Sequence, residues 1–293
     1  MELIAQVVLN GILLGGLYAC MAMGFSIVWG VMNLINLAYG SMIMLGAYVT
    51  WLLATQLGLS PLVSWPFAGL ALFVFAYFLQ RLLINRLVRI SIFMTLIFTF
   101  GLNMVLINVN LLAFSADVRS LPQTFGSATF SFFGLTLPVG RGVVFMMALG
   151  MTLALHVLLN HSRVGNAIKA TSFDPLAARL SGIDIQRTYA ITFAIGGAIA
   201  GITGALIATT YSFSPVSGEI YTMKSFVVVI LGGLGSVPGA IAGGMLLGIV
   251  ENLASLFLDS GYRDAVGFGL LLLVLIVRRQ GLLGKRFFAE VKM

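Results

Sequence analysis

Charged residues are scarce in this chain, and the first quarter of it is almost free of them. No Asp, Glu, Lys or Arg occurs from Leu3 to Gln80, and of all 293 residues 9% are charged and 60% hydrophobic. Soluble globular domains carry about 25% charged residues. So few charges cannot cover a water-exposed surface, so we conclude that this is an integral membrane protein. Because a spanning helix needs about 20 residues, the uncharged tract has room for three spans.

Cysteine and histidine are also rare, which limits the chemistry available. Cys20 is the one cysteine and there are two histidines. A single cysteine excludes an intrachain disulfide, and no His, Cys or carboxylate cluster has the spacing of a metal site. The stretch "GLLGK" at 281–285 lacks the glycine spacing and the Ser or Thr of a phosphate-binding loop. We therefore expect no metal, no cofactor and no enzyme activity in this chain.

Apolar segments separated by short polar stretches predict an all-α, polytopic membrane protein. We expect one domain over residues 1–293 with about eight membrane segments, some of them interrupted or half-helices. The continuous spans are predicted near 3–29, 36–57, 62–80, 91–114, 143–159, 188–210 and 265–277. Residues 225–257 are apolar but broken by glycines, and they form the remaining segments.

The basic residues are distributed unevenly between the loops. Net charge is +7, and 12 of the 16 Lys and Arg residues fall in the loops 81–89 and 161–187 or after residue 277. They separate apolar spans and do not form dense basic runs, so we expect no nucleic-acid partner. The positive-inside rule assigns these three regions to the cytoplasm. The N-terminus is then outside and the C-terminus cytoplasmic.

Two glycine-interrupted stretches stand out, one in each half of the chain. With Lys224 and Asp259 both outside, residues 225–257 must enter the membrane and return, turning at "GGLGSVPG". The first arm has about ten residues and rises about 15 Å, which predicts a half-helix covered by protein. In the first half, Asn33, Asn36 and Gly40 are spaced to share one face of the second helix.

Such breaks in corresponding positions of two halves indicate a transport site. Uncharged amides, hydroxyls and exposed backbone could replace water around a zwitterion without holding it tightly. The candidate wall of a translocation path is Asn33, Asn36, Tyr39, Gly40, Gly232, Gly233, Gly235, Ser236 and Pro238. Close helix packing and interhelical hydrogen bonds would use the same residue types, and the residues alone leave both interpretations open.

The loop 161–187 contains "FDPLAARLSGI", which predicts a two-turn helix over 175–181. Asp174 is a good N-cap, Pro175 suits the first helical position, and Gly182 suits the residue after the end. A helix this short is marginal in isolation, so it should dock either on the membrane end of its own chain or on a cytosolic partner. Its apolar face is formed by Leu176, Ala177 and Leu180, and Arg179 lies beside that face.

This loop carries a family resemblance. Ala177 and Ala178, followed by Gly182, resemble the core of the Glu-Ala-Ala loop of ABC importer permeases, with Leu176 in place of the Glu. The stretches "GFSIVWGVMNLINLAYGSMIMLGAY" and "VVVILGGLGSVPGAIAGGMLLGIVE" are similar to those of branched-chain amino acid transport permeases. The resemblance covers essentially the whole chain and is to the shorter of that system's two permeases. Tyr39 stands where relatives often have His.

The resemblance implies a permease subunit of an ATP-driven importer in the lipid of a bacterial or archaeal inner or plasma membrane. Its partners would be a second, paralogous permease, two cytosolic ATPases that hold ATP and Mg²⁺, and a periplasmic or lipid-anchored binding protein. The contact with the ATPases would be made by Asp174, Pro175, Leu176, Ala177, Ala178, Arg179, Leu180 and Gly182. Branched-chain amino acids are the implied solutes, with urea, short amides or aromatic acids as alternatives.

An ion-coupled secondary transporter is the alternative from another class. Such proteins usually place an ionisable group within the membrane. The candidates are Glu251 and His156, which we interpret as a glutamate reaching the interface and a histidine near a helix end. A passive channel is a further alternative, but the predicted docking helix of the loop would have no function in such a protein.

Overall fold

In a computed structural model, residues 2–87, 92–121, 128–132, 135–278 and 280–284 are described. They form a bundle of long helices. In the first half the helices are α1 (Glu2–Met32), α2 (Tyr39–Gln56), α3 (Pro61–Leu79), which continues through a π-helical turn (Gln80–Ile84) into α4 (Asn85–Leu87), and α5 (Ile92–Phe114). In the second half they are α6 (Val139–His161), α7 (Arg163–Phe173), α8 (Pro175–Leu180), α9 (Ile185–Thr210), α10 (Gly218–Gly232), α11 (Val237–Ala254) and α12 (Arg263–Val277). Arg89, the predicted start of a span at 91 and the tail from 285 lie outside the described residues.

Helix length and composition confirm a polytopic membrane protein. Within the described part of the chain, six helices are long and apolar enough to cross a bilayer: Glu2–Met32, Pro61–Ile84, Phe93–Phe114, Val139–His161, Ile185–Thr210 and Val237–Ala254. The shorter α2, α10 and α12 occupy the other stretches from which membrane segments were predicted.

Helix α1 lies at the centre of the bundle and packs against α11, α9, α6 and α10. Small residues allow this packing, because they let helix backbones approach closely. A Cβ atom added at Gly15 would lie 2.8 Å from the Met245 Cα of α11, and one added at Gly248 would lie 2.5 Å from the Gly11 carbonyl oxygen. Helices α2 and α3 pack in the same way against α9, at Gly201 and Gly204.

A small hairpin departs from the all-α prediction. Strand β1 (Thr129–Phe132) pairs antiparallel with β2 (Leu135–Pro138) in the polar stretch before α6. The Gln6 amide of α1 holds this hairpin, since it donates to the Thr136 carbonyl (2.7 Å) and accepts from the Thr136 N–H (2.8 Å). Aromatic and β-branched residues alternate here over too few positions to produce a strong strand signal.

The prediction that Asn33, Asn36 and Gly40 share one helix face was wrong. Helix α1 ends at Met32 and α2 begins at Tyr39, so both asparagines lie in the non-helical linker 33–38. Asn33 adopts a left-handed φ of 50°, a conformation that Asn tolerates better than most residues. The Asn36 side chain accepts a hydrogen bond from the Ala38 N–H (3.1 Å), which competes with helix formation.

The prediction for the first arm of 225–257 was partly wrong. The chain turns between Gly232 and Val237, as predicted, but α10 begins at Gly218 and not near Ser225. Its 15 residues span about 22 Å. A reciprocal cap between Ser214 and Ser217 immediately precedes α10, so residues 218–224 are helical although a loop was predicted.

Candidate translocation site and coupling helix

The predicted loop helix is present and capped at both ends. Helix α8 is one residue shorter than predicted, and the Asp174 Oδ1 accepts from the N–H groups of Leu176 (2.8 Å) and Ala177 (3.0 Å). At the other end Gly182 has a φ of 85° and donates to the Arg179 carbonyl (3.0 Å). The next N–H reaches the Ala178 carbonyl (3.1 Å), which completes a Schellman motif. The helix is therefore fixed by its own local sequence.

The apolar face of α8 points away from this chain. Leu176 is 69% exposed and Leu180 is 83% exposed, and Arg179 beside them is also exposed. Ala178, on the opposite side, is buried and attaches the helix to the rest of the protein. Large apolar side chains presented together at a surface mark a contact site for another molecule.

The linker between α1 and α2 is held by side chains from two other helices. The Thr99 hydroxyl of α5 donates to the Ile35 carbonyl (2.9 Å), and the Thr222 hydroxyl of α10 accepts from the Gly40 N–H (2.9 Å). Asn36 is buried and uses its amide oxygen for the local bond to Ala38, whereas Asn33 is exposed. Non-helical backbone at membrane depth requires such cover, and here protein supplies it.

The end of α1 and the start of α2 each contact the segment formed by α10 and the turn after it. A Cβ atom at Gly40 would lie 1.8 Å from the Gly218 carbonyl oxygen, so the first turn of α2 touches the first turn of α10. A Cβ atom at Gly30 would lie 2.8 Å from the Gly235 Cα, so the end of α1 touches the turn after α10. Between these contacts, Tyr39 is buried against the Phe25 ring, with the ring centroids 5.7 Å apart.

The turn after α10 is covered by residues 280–284. The N–H groups of Leu282 and Leu283 donate to the carbonyls of Leu231 (2.8 Å) and Gly232 (2.9 Å). Gly233 and Gly235 take positive φ values of 104° and 76°, which suit glycine. Ser236 caps α11 by accepting from the Gly239 N–H (3.1 Å), and Pro238 lies in the first turn of that helix.

A cleft of about 470 Å³ lies next to this region and is bordered by α5, α10, α11 and α12. Its lining includes Leu37 of the linker and Thr222, the partner of Gly40, but none of the nine predicted path residues. The apolar part of its wall is formed mainly by Phe100, Ile220, Met223, Val227, Leu247 and Phe268. Ligand clefts are typically about 300–1,000 Å³ in volume and mostly apolar, with a few convergent polar groups.

The convergent polar groups form a charge cluster that the sequence analysis missed. The Lys224 Nζ lies 2.7 Å from the Glu251 Oε1 and 2.9 Å from the Asp264 Oδ1. The Tyr18 hydroxyl of α1 donates to the Glu251 Oε2 (2.6 Å). Lys224 and Glu251 lie at the two ends of the uncharged stretch 225–250. Charged residues within a membrane usually pair with one another, so this placement is a sequence signal that could have revealed the cluster.

The cluster corrects the interpretation of Glu251. Glu251 was expected to reach the membrane interface, but it is 2% exposed and paired on both oxygens. His156, the other candidate, is an exposed side chain on α6, and its nearest ring nitrogen is 3.0 Å from the Asn160 amide.

Comparisons with known proteins identify the family of this chain. The family model described as branched-chain amino acid transport system / permease component matches residues 7–275. The high-affinity branched-chain amino acid transport system permease protein LivH of Escherichia coli K12 is 35% identical over 96% of this chain and 95% of its own length. LivH of Salmonella typhimurium LT2 is 34% identical over the same shares, and BraD of Pseudomonas aeruginosa is 31% identical, also over 96% and 95%. No solved structure matches. The chain therefore belongs to the family of permease components of branched-chain amino acid transport systems.

Proposed function

We propose that this chain is the membrane-spanning subunit through which an ATP-driven importer carries branched-chain amino acids into a bacterial or archaeal cell. The family, and the transport system named for LivH and BraD, support this solute class. In this proposal ATP and Mg²⁺ are held by two cytosolic ATPases. A second, paralogous permease completes the membrane part, and a periplasmic or lipid-anchored binding protein delivers the solute.

The exposed face of α8 is the observation that carries the proposal. A six-residue helix is not stable alone, yet this one is capped at both ends and presents Leu176 and Leu180 to the surroundings. Docking on its own membrane end would bury these leucines, so their exposure favours a groove on a partner protein. Movement of that partner would then be transmitted through α7 and α9, the helices that contact α8.

The orientation in the membrane is part of the proposal. Asn85, in the first basic loop, lies beside Gln186 at the start of α9, with the Asn85 Nδ2 3.5 Å from the Gln186 carbonyl. Two of the predicted cytoplasmic loops are thus neighbours. Arg119, assigned to the outside, pairs with Phe213 at the other end of the bundle. This arrangement supports a cytoplasmic side that carries the basic loops and an N-terminus outside.

The path is proposed to run beside the junction of α2 and α10. The N-terminal turns of these helices meet at Gly40 and Gly218, and helix N-termini favour anionic groups such as a solute carboxylate. Asn33, Asn36 and Tyr39 would border this junction on one side, and the turn from Gly232 to Pro238 would border the path further along α10.

A charge reversal on α8 tests the proposal. In vesicles containing the assembled transporter, Arg179→Glu should abolish ATP-driven leucine uptake and release the ATPases, while the permease still elutes as a folded protein. Arg163→Glu is a matched control, because it reverses an exposed charge in the same loop but on α7. Normal uptake by Arg179→Glu would refute the coupling role. Solute flux in ATP-free vesicles containing this chain alone would favour the ion-coupled alternative.

A further inference from the structure

We infer that the cleft bordered by α5, α10, α11 and α12 binds the transported solute as a zwitterion. Lys224 would receive the solute carboxylate and Asp264 would receive its α-ammonium group. This inference rests on the proposed function, because it specifies how an amino acid is recognised within the membrane subunit.

The two ion pairs of Lys224 differ in accessibility. The Glu251 side chain is 3% exposed and is also held by Tyr18, so the Lys224–Glu251 pair is an internal connection between α10, α11 and α1. The Asp264 side chain is 59% exposed and forms the outer pair. Exposed ion pairs contribute little to stability, so Asp264 can leave Lys224 at small cost, whereas Glu251 cannot.

A zwitterion can replace the outer pair without leaving a charge unpaired. When the solute enters, its carboxylate takes the place of Asp264 beside Lys224, and its ammonium group pairs with the carboxylate that was displaced. When it leaves, the Lys224–Asp264 contact of 2.9 Å re-forms. An anion would leave Asp264 unpaired. A cation could pair with Asp264 or with Glu219, the other exposed carboxylate of the lining, but would leave Lys224 without the outer partner that the solute carboxylate supplies. The site therefore discriminates by charge pattern and still releases the solute, because the protein supplies a competing partner.

The rest of the cleft suits an aliphatic side chain. Phe100, Met223 and Phe268 present apolar surface around the charged groups, and Val227 and Leu247 form a buried apolar part of the wall. Asn103 uses its amide oxygen to accept a hydrogen bond from the Ser41 hydroxyl (2.6 Å). A polar solute side chain would thus meet mainly apolar surface.

Cysteine protection, read on this subunit after it is separated from the others, tests this inference. Its one native cysteine, Cys20, is fully buried and adds little background. Met223→Cys introduces a thiol on the exposed wall of the cleft. In the assembled transporter, a charged thiol reagent should label it, and L-leucine at ten times its dissociation constant should slow labelling about tenfold by mass action. Leucine amide, which lacks the carboxylate, and 4-methylpentanoate, which lacks the amine, should need at least about tenfold higher concentrations for equal protection, because each loses one charged contact.

A pair of matched variants tests whether Asp264 is needed for protection by leucine. Asp264→Asn in the Met223→Cys background should weaken protection by leucine, whereas Asp259→Asn should not, because it removes the same charge from an exposed residue outside the cleft. The labelling rate without leucine verifies that the cleft keeps its shape in both variants.

Three results would overturn the inference: an unreactive Met223→Cys, equal protection by 4-methylpentanoate and leucine, or undiminished protection in Asp264→Asn. Each of these leaves the ATPase coupling through Arg179 intact. Conversely, if Arg179→Glu transports normally while leucine still protects Met223→Cys, the proposed function fails and the binding site stands.

Discussion

Replacing Gly40 by Ala should force apart the first turns of α2 and α10. The added Cβ atom would lie 1.8 Å from the Gly218 carbonyl oxygen and 2.4 Å from the Thr222 hydroxyl oxygen. The hydroxyl can rotate away, but the carbonyl belongs to the backbone of α10. Ordinary contact begins near 3.4 Å, so the two helices must separate by about 1.6 Å at this point.

The energetic cost has two parts. Overpacking a close contact typically costs about 1–3 kcal/mol. The separation would also stretch the 2.9 Å hydrogen bond from the Gly40 N–H to Thr222, and a hydrogen bond contributes about 1 kcal/mol net. We therefore expect Gly40→Ala to destabilise the folded protein by about 2–4 kcal/mol and to reduce uptake, because Thr222 lines the cleft.

Thermal unfolding of the purified permease in detergent measures the first effect, and leucine uptake by the assembled transporter measures the second. Gly101→Ala is the matched control, because Gly101 lies within α5 and a Cβ atom there meets nothing within 4 Å. That variant should gain up to about 1 kcal/mol from the better helix propensity of Ala. If Gly40→Ala were as stable as Gly101→Ala, the close contact between α2 and α10 would be refuted.

Three further changes test other parts of the structure. Asp174→Ala removes the α8 cap and should cost about 0.5–2 kcal/mol, seen as faster hydrogen exchange in that helix; unchanged exchange would contradict the capping role. Lys224→Met or Glu251→Leu alone should each destabilise the protein by about 3–5 kcal/mol. The double variant should lose less than the sum of the two, keeping a cost of about 1–3 kcal/mol because the buried Tyr18 hydroxyl loses its acceptor; additive losses would refute the pairing. Asn36→Leu should lower the melting temperature, because it leaves the Ala38 N–H without its acceptor. Altered leucine uptake kinetics in this variant would support a position of Asn36 beside the path, and unchanged kinetics would argue against that position.

Helix α8 was predictable because every interaction that ends it is local. Asp174 caps N–H groups two and three residues away, and Gly182 adopts a conformation that glycine favours. The turn at "GGLGSVPG" was predictable for the same reason, since Gly233 and Gly235 adopt positive φ values and Pro238 suits the first turn of the next helix. The sequence also contained enough family-specific residues to indicate the permease class.

The start of α2 and the cleft depend on contacts between distant residues. Thr99 holds the linker 33–38 and Thr222 holds the first turn of α2, and both lie on other helices, so spacing alone suggested a continuous helix. The pairing of Lys224 with Glu251 and Asp264 requires three helices to be adjacent, and sequence periodicity does not reveal which helices meet. The path residues chosen by composition consequently do not line the cleft, although Gly40 bonds to Thr222 in its wall.

The backbone contact between α1 and α11 determines which parts of this subunit can move. At Gly11, Gly15, Gly244 and Gly248 the two helices touch without intervening side chains, so neither can slide along the other without a clash. Tyr18, Glu251 and Lys224 join α10 to this pair, so we expect α1, α10 and α11 to move together as one unit. Helix α12, which carries Asp264, lacks such a backbone seam in the described residues, since a Cβ atom at its Gly267 would meet only side-chain atoms and one at Gly269 would meet nothing. Release of Asp264 from Lys224 would thus free α12 to tilt against a fixed three-helix block.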